Sequence, residues 1–123
     1  MDRAAVARWI AEYERAWRTP GTDGLARLFA GNARYSPGPY AKPIWGLKAI
    51  ATMWEDRRTG SDEQFTMTSA LVALDEHVAV ARVEVRYAEG RHWRDLWVME
   101  FDSDGLCDAF EEWPVAAGPD GGT

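Results

Sequence analysis

Cysteine is all but missing from this chain. Cys107 stands alone, so no internal disulfide can form and no thiolate metal site can be assembled from within the chain. It reads as a small packing residue. Histidine is scarce as well: His77 and His92 fall at strand ends beside turns, without a second histidine or an acid at ligand spacing. No metal is expected. A Gly-rich phosphate loop and a serine nucleophile elbow are absent, and no stretch approaches the roughly 18 consecutive apolar residues that a membrane span requires. Basic residues are outnumbered, 14 Lys and Arg against 20 Asp and Glu, and they are dispersed. A net charge of −6 repels a phosphate backbone, which sets nucleic acid aside as a partner. The start, Met1-Asp2-Arg3-Ala4, runs straight into a helical pattern instead of the basic and apolar regions of a secretory signal. The expected location is the cytoplasm, without a membrane partner.

What is present points to one packed domain. A chain of 123 residues buries about two-thirds of its unfolded surface and builds a single core; the expected domain is residues 1–115, with a disordered tail over 116–123. Seven Trp and four Tyr are more large amphipathic rings than core filling alone demands. They suit a pocket or an interface, since each offers broad apolar area and one polar handle.

Hydrophobic spacing gives the order of elements. Val6, Trp9, Ile10, Tyr13 and Trp17 recur three and four apart, which predicts a helix over Ala4–Trp17, stopped by Thr19-Pro20-Gly21. A second, shorter helix is expected from Thr22 or Asp23, burying Leu25, Leu28 and Phe29 and ending at Gly31-Asn32. Ala33–Ser36 reads as a short strand, and Pro37–Gly46, with its prolines and glycines, as an irregular loop holding an extended piece at Tyr40–Ile44. A third helix is predicted over Leu47–Arg57. Four β-type runs then follow, Glu63–Leu74, Val78–Tyr87, His92–Phe101 and Leu106–Trp113, separated by hairpin turns. Helices first and hairpins afterwards make an α+β fold, three N-terminal helices covering a strongly curved, mostly antiparallel sheet with a conical cavity at its open end.

That order, together with Trp17, Leu28-Phe29, Gly46-Leu47-Lys48-Ala49-Ile50, Leu96-Trp97-Val98, Phe101-Asp102-Ser103-Asp104-Gly105 and Phe110-Glu111-Glu112-Trp113-Pro114, resembles the nuclear transport factor 2-like superfamily, in particular its SnoaL-like members. The likeness runs from about Ala4 to Pro114. It implies a cystatin-like cone around a small-molecule pocket, homodimers that pair sheet faces, and functions that include isomerases, epoxide hydrolases, polyketide cyclases, dehydratases and proteins without catalysis.

Within the resemblance, Arg82 falls on the arginine of the acid–arginine–acid triad of limonene epoxide hydrolases, Glu84 on the first acid and Glu112 on the second. Both acids here are Glu where the hydrolases carry Asp, one methylene longer. Strand alternation puts Arg82 and Glu84 on one face, and the last strand can bring Glu112 to it. If that face is concave, the trio is an acid/base unit; if convex, Arg82 and Glu84 join Arg86 and Glu100 as exposed cross-strand ion pairs. Tyr13 is similar in position to the first-helix tyrosine of ketosteroid isomerases, where the hydroxyl faces an oxyanion. The Asp base of those isomerases has no counterpart in Tyr35-Ser36-Pro37-Gly38-Pro39-Tyr40, which disfavours steroid isomerisation by that route. The candidate ligand-binding set is Trp17, Tyr35, Tyr40, Trp45, Trp54, Trp97 and Phe110, with Tyr40 and Trp45 expected as a lid. Trp93, Trp97, Met99 and Phe101 share one strand face, either pocket wall or dimer surface. Arg57-Arg58 could meet an anionic group, although cations at a helix end also answer its dipole.

Two functional readings follow. One is a cofactor-free enzyme, an isomerase, cyclase or hydrolase acting on a small apolar metabolite by acid/base chemistry. The other is a non-catalytic ligand-binding or dimerisation module.

Overall fold

The computed structural model describes residues 1–58 and 64–118. The chain runs through helix α1 (Arg3–Arg18), a 3-10 turn (Asp23–Arg27), strands β1 (Phe29–Ser36) and β2 (Ile44–Trp45), helix α2 (Leu47–Arg57), and strands β3 (Phe65–Asp75), β4 (Val78–Tyr87), β5 (His92–Phe101) and β6 (Cys107–Ala116). The six strands form one curved open sheet in the order β2-β1-β6-β5-β4-β3. Every neighbouring pair is antiparallel except β1 and β6, which run parallel. Among the described residues no helix is long and apolar enough to cross a membrane.

Helix α1 forms where the periodicity placed it. The Asp2 carboxylate accepts from the Ala5 amide at 2.8 Å and caps the first turn. Its inner face buries Val6, Trp9, Ile10 and Tyr13. Trp9 is the hub of the core, its ring 5.5–5.8 Å from those of Tyr13, Phe29, Phe101 and Phe110. Burying one such ring contributes on the order of 2–3 kcal/mol.

The described residues form two α-helices, not three. Where a second N-terminal helix was expected, five residues make a 3-10 turn, and Phe29–Asn32 are already strand. Tertiary pairing overrides the local pattern. The Leu28 carbonyl accepts from both the Trp9 indole, at 2.9 Å, and the Cys107 amide, at 2.8 Å, which starts the β1–β6 ladder at Phe29 opposite Cys107.

Gly46 sets the direction of α2. Its φ of +89° lies where only glycine sits without strain, its amide donates to the Ala33 carbonyl at 2.8 Å, and its own carbonyl accepts from Ile50. The hairpin strands follow the expected boundaries closely. The start at Glu63 and the end of the tail, residues 119–123, lie outside the described residues, and β6 extends through Ala116.

Candidate functional site

Alternation along the strands decides which side chains look inward. On β4 the buried set is Ala79, Ala81 and Val83, so Arg82 and Glu84 point the other way. On β5 the inner face carries Trp93, Asp95, Trp97, Met99 and Phe101, and on β6 Glu112 stands opposite Trp97 while Phe110 stands opposite Met99. The inner faces and helices enclose a cavity of about 380 Å³ between α1, the end of α2 and the open end of the sheet.

The trio Arg82, Glu84 and Glu112 therefore does not converge. Arg82 is exposed on the outer face, and Glu84 beside it is ion-paired with Arg86 at 3.1 Å and Arg94 at 3.0 Å, with His92 at 3.3 Å. These contacts, the hydrogen bond with His92 foremost, hold the Glu84 carboxyl below its ordinary range. Glu112 alone of the three faces the cavity. The physical reason is the strand period: Val85 and Tyr87 are the β4 side chains that line the cavity, and a shift of one residue reverses the face.

Around Glu112 a different group is assembled. The Tyr35 hydroxyl, from β1, donates to Glu112 Oε1. The Tyr13 hydroxyl, from α1, lies 2.9 Å from the Tyr35 hydroxyl. Because the hydrogen of Tyr35 goes to the carboxylate, Tyr13 donates to Tyr35, and a chain Tyr13, Tyr35, Glu112 results. Burial pushes the Glu112 carboxyl up to about 7, aided by the charge of Asp95 and opposed by the Tyr35 hydrogen bond and Arg57. Both tyrosines are raised well above their ordinary value, chiefly by burial and then by the Glu112 charge, so they keep their protons. Asp95, raised to about 6 by desolvation, lines the same cavity.

The predicted ligand-binding rings divide into three groups. Trp17, Tyr35 and Trp97 line the cavity. Trp54 and Phe110 lie beneath it, fully buried, with Tyr13 packed on both at 5.0 and 5.6 Å. Tyr40 and Trp45 are no lid: Tyr40 is fully exposed, and Trp45 borders a separate surface groove with Lys48, Thr52 and Met53. The two-residue strand β2 pairs with the outer edge of β1 and carries that loop away from the cavity mouth. Arg57, from the last turn of α2, reaches the mouth.

Asp95 is the residue that sequence reasoning missed. Its signal was present, since it lies two positions from both Trp93 and Trp97 and so shares their face. Among the described residues no group of three His, Cys, Asp or Glu side chains is placed to hold a metal ion.

No family model matches the chain, and neither does any curated protein. Solved structures do resemble it. A steroid delta-isomerase from Pseudomonas aeruginosa is similar with a TM-score of 0.65 at 22% identity, over 98% of this chain and 85% of that one. A nuclear transport factor 2-like protein of unknown function from Silicibacter pomeroyi covers 91% of this chain and 94% of its own, with a TM-score of 0.60 and 18% identity. An inferred isomerase of the SnoaL-like family from Agrobacterium tumefaciens gives 0.69 at 16% identity, over 91% and 98% of the two chains. At these identities the likeness is one of architecture, and the architecture is the nuclear transport factor 2-like fold.

Proposed function

We propose that this chain is a cofactor-free acid/base protein for a small, largely apolar molecule, with Glu112 as the group that moves a proton. The observation that carries the reading is the Glu112 carboxyl at the wall of an aromatic cavity, hydrogen-bonded by Tyr35 and, among the described residues, with no basic residue bonded to it. A carboxyl near 7 is half ionised at neutral pH, so it can take a proton and return it within one cycle. Tyr35 and Tyr13 hold its orientation and steady the charge as it forms. The cavity volume suits a molecule of one or two rings. Structures named as isomerases share the fold, and isomerisation by proton transfer, cyclisation and water addition all draw on the same chemistry.

The test is exchange of solvent deuterium into the α-positions of a panel of small cyclic ketones and amino ketones, followed by mass spectrometry. Wild-type protein exchanges at least one member above the buffer rate, and Glu112→Gln does not. Exchange that survives in Glu112→Gln removes Glu112 from the role, and binding without exchange moves the protein to the non-catalytic module.

A second part of the proposal concerns the outer face of the sheet. Leu96 stands opposite Trp113, with Val115 beside them, and all three are exposed. Charged side chains of both signs, Arg82, Glu84 and Arg94, frame this patch. A face that is apolar at the centre and mixed in charge at the rim is self-complementary about a two-fold axis, which supports a homodimer.

A further inference from the structure

Proton transfer by Glu112 leaves Asp95 without a task. It sits on β5 between Trp93 and Trp97, with Val83 and Pro114 beside it on the flanking strands. Its Oδ2 receives only a long hydrogen bond from the Trp97 indole, 3.4 Å, and its Oδ1 is covered and bonded to nothing. Among the described residues no Lys, Arg or His forms an ion pair with it. An acid withdrawn from water without a donor or a counter-ion is costly. Such a residue is at home where its partner arrives from outside.

The surroundings specify that partner. Trp93, Trp97, Trp17 and Tyr87 line the same cavity, and aromatic rings carry the negative side of a quadrupole on their faces. The rim already shows the attraction: the Arg18 guanidinium lies 3.8 Å over Phe65 and that of Arg91 4.0 Å over Tyr87. Both tyrosine hydroxyl hydrogens are committed within the chain Tyr13, Tyr35, Glu112. Arg57 and Arg91 also line the cavity, both exposed, so positive charge stands at its rim while the acceptors Asp95 and Glu112 lie within, and it is there that a ligand must bring the donor or the charge. Glu112, diagonal to Asp95 on the next strand, adds a second carboxyl to the same side.

We infer that the cavity takes a small organic cation, an amine or quaternary ammonium on an apolar body, with its nitrogen beside Asp95 and between the rings of Trp93 and Trp97. This rests on the cavity being a ligand site, as proposed above. The broad terminal torsion of an aspartate lets the orphan oxygen turn toward the cavity without rotamer strain. The overall charge of −6 draws cations toward the mouth from a distance. Division of labour follows, with Asp95 anchoring the cation and Glu112 left to handle the proton.

Tryptophan fluorescence and calorimetry with three probes of one body, benzyltrimethylammonium, benzyl alcohol and benzoate, test the assignment at about pH 8, where both carboxyls are ionised. The cation is expected to bind about tenfold or more tightly than the alcohol, with benzoate weakest. Asp95→Asn, nearly identical in shape, is expected to remove most of that preference. In the wild type, the affinity for the cation should fall as pH drops through about 7, where Glu112 gains its proton, and again through about 6, where Asp95 does, and the lower step should be missing in Asp95→Asn. Equal or tighter binding of the alcohol or of benzoate overturns the cation assignment and leaves the small-molecule reading standing. A cation preference that persists in Asp95→Asn overturns the role of Asp95. Failure of all three probes to bind overturns the cation inference and the ligand-site reading together.

Discussion

A carboxyl whose pKa is raised by burial weakens the fold at the pH where it must ionise. Glu112 is protonated more readily in the folded chain, near 7, than in the unfolded chain, near 4.5. Between those values the folded state holds more protons, so stability declines as pH rises through that window and reaches its full loss above 7. Asp95 adds a decline between 3.8 and about 6. Glu112→Gln keeps an acceptor for Tyr35 and removes the charge, so above pH 7 this variant should be more stable than the wild type by on the order of 2 kcal/mol, and below about pH 5 the two should converge. Urea titrations across that range measure it; equal stability of the two proteins at high pH rejects a buried, unpaired Glu112. Tyr35→Phe acts in the opposite sense on the same group. The hydrogen bond that lowers the Glu112 pKa is lost, so its titration, followed by carboxyl NMR shifts, should move further above 7. A titration that stays in place or moves down shows that Tyr35 does not hold the carboxylate. At this scale the sequence supplied Tyr13 and Glu112 through their positions in the resembling family, and Tyr35 as a ring of the ligand-binding set. It did not supply their partnership, because the contact joins β1 to β6 across 77 positions of sequence. Asp95 was overlooked although the alternation that grouped Trp93 with Trp97 passes straight through it. An acid within an aromatic run is readily taken for a solvated one unless the period is applied to every residue.

Elements were legible where local pattern and tertiary demand agree. The limits of α2, β4 and β5 coincide with those read from hydrophobic spacing. The face of β4 was legible too, since Ala79, Ala81, Val83 and Val85 alternate with Val80, Arg82, Glu84 and Arg86, and the charged register belongs outside. Two readings of Arg82 and Glu84 stood open on the sequence, an acid/base unit with Glu112 or exposed cross-strand ion pairs, and the exposed face of β4 agrees with the second. The expected second helix failed for another reason, a carbonyl of Leu28 already claimed by Trp9 and Cys107. Gly46 is the single position on which the entry to α2 depends. An alanine methyl there meets nothing closer than the Gly31 carbonyl oxygen at 3.6 Å, so the penalty is conformational, not steric. Gly46→Ala should cost about 1–2 kcal/mol and lower the melting temperature by several degrees. Calorimetry checks it, and an unchanged melting temperature means that the backbone there relaxes out of the positive-φ region.

For the whole molecule, curvature separates two surfaces. The inner face is used up by α1, the core rings and the cavity, which leaves the outer face of β4, β5 and β6 as the broad surface available to a second copy. A stable interface of this kind buries about 800 Å² on each partner and is anchored by a few large side chains near its centre. Trp113, with Leu96 opposite and Val115 two positions along the strand, occupies that place. Arg82, which forms no ion pair among the described residues, can reach an acid across a two-fold axis. Pairing of copies through this face would leave both cavities open, because their mouths lie on the other side of the sheet. Trp113→Glu places a charge at the centre of the patch without touching the cavity wall. Light scattering should give the mass of two chains for the wild type and of one chain for this variant, while binding of a cavity ligand stays within about twofold. A wild type that is already a single chain at tens of micromolar rejects the dimer. A variant that loses dimer and ligand together would show that the two faces are coupled through the single layer of sheet between them.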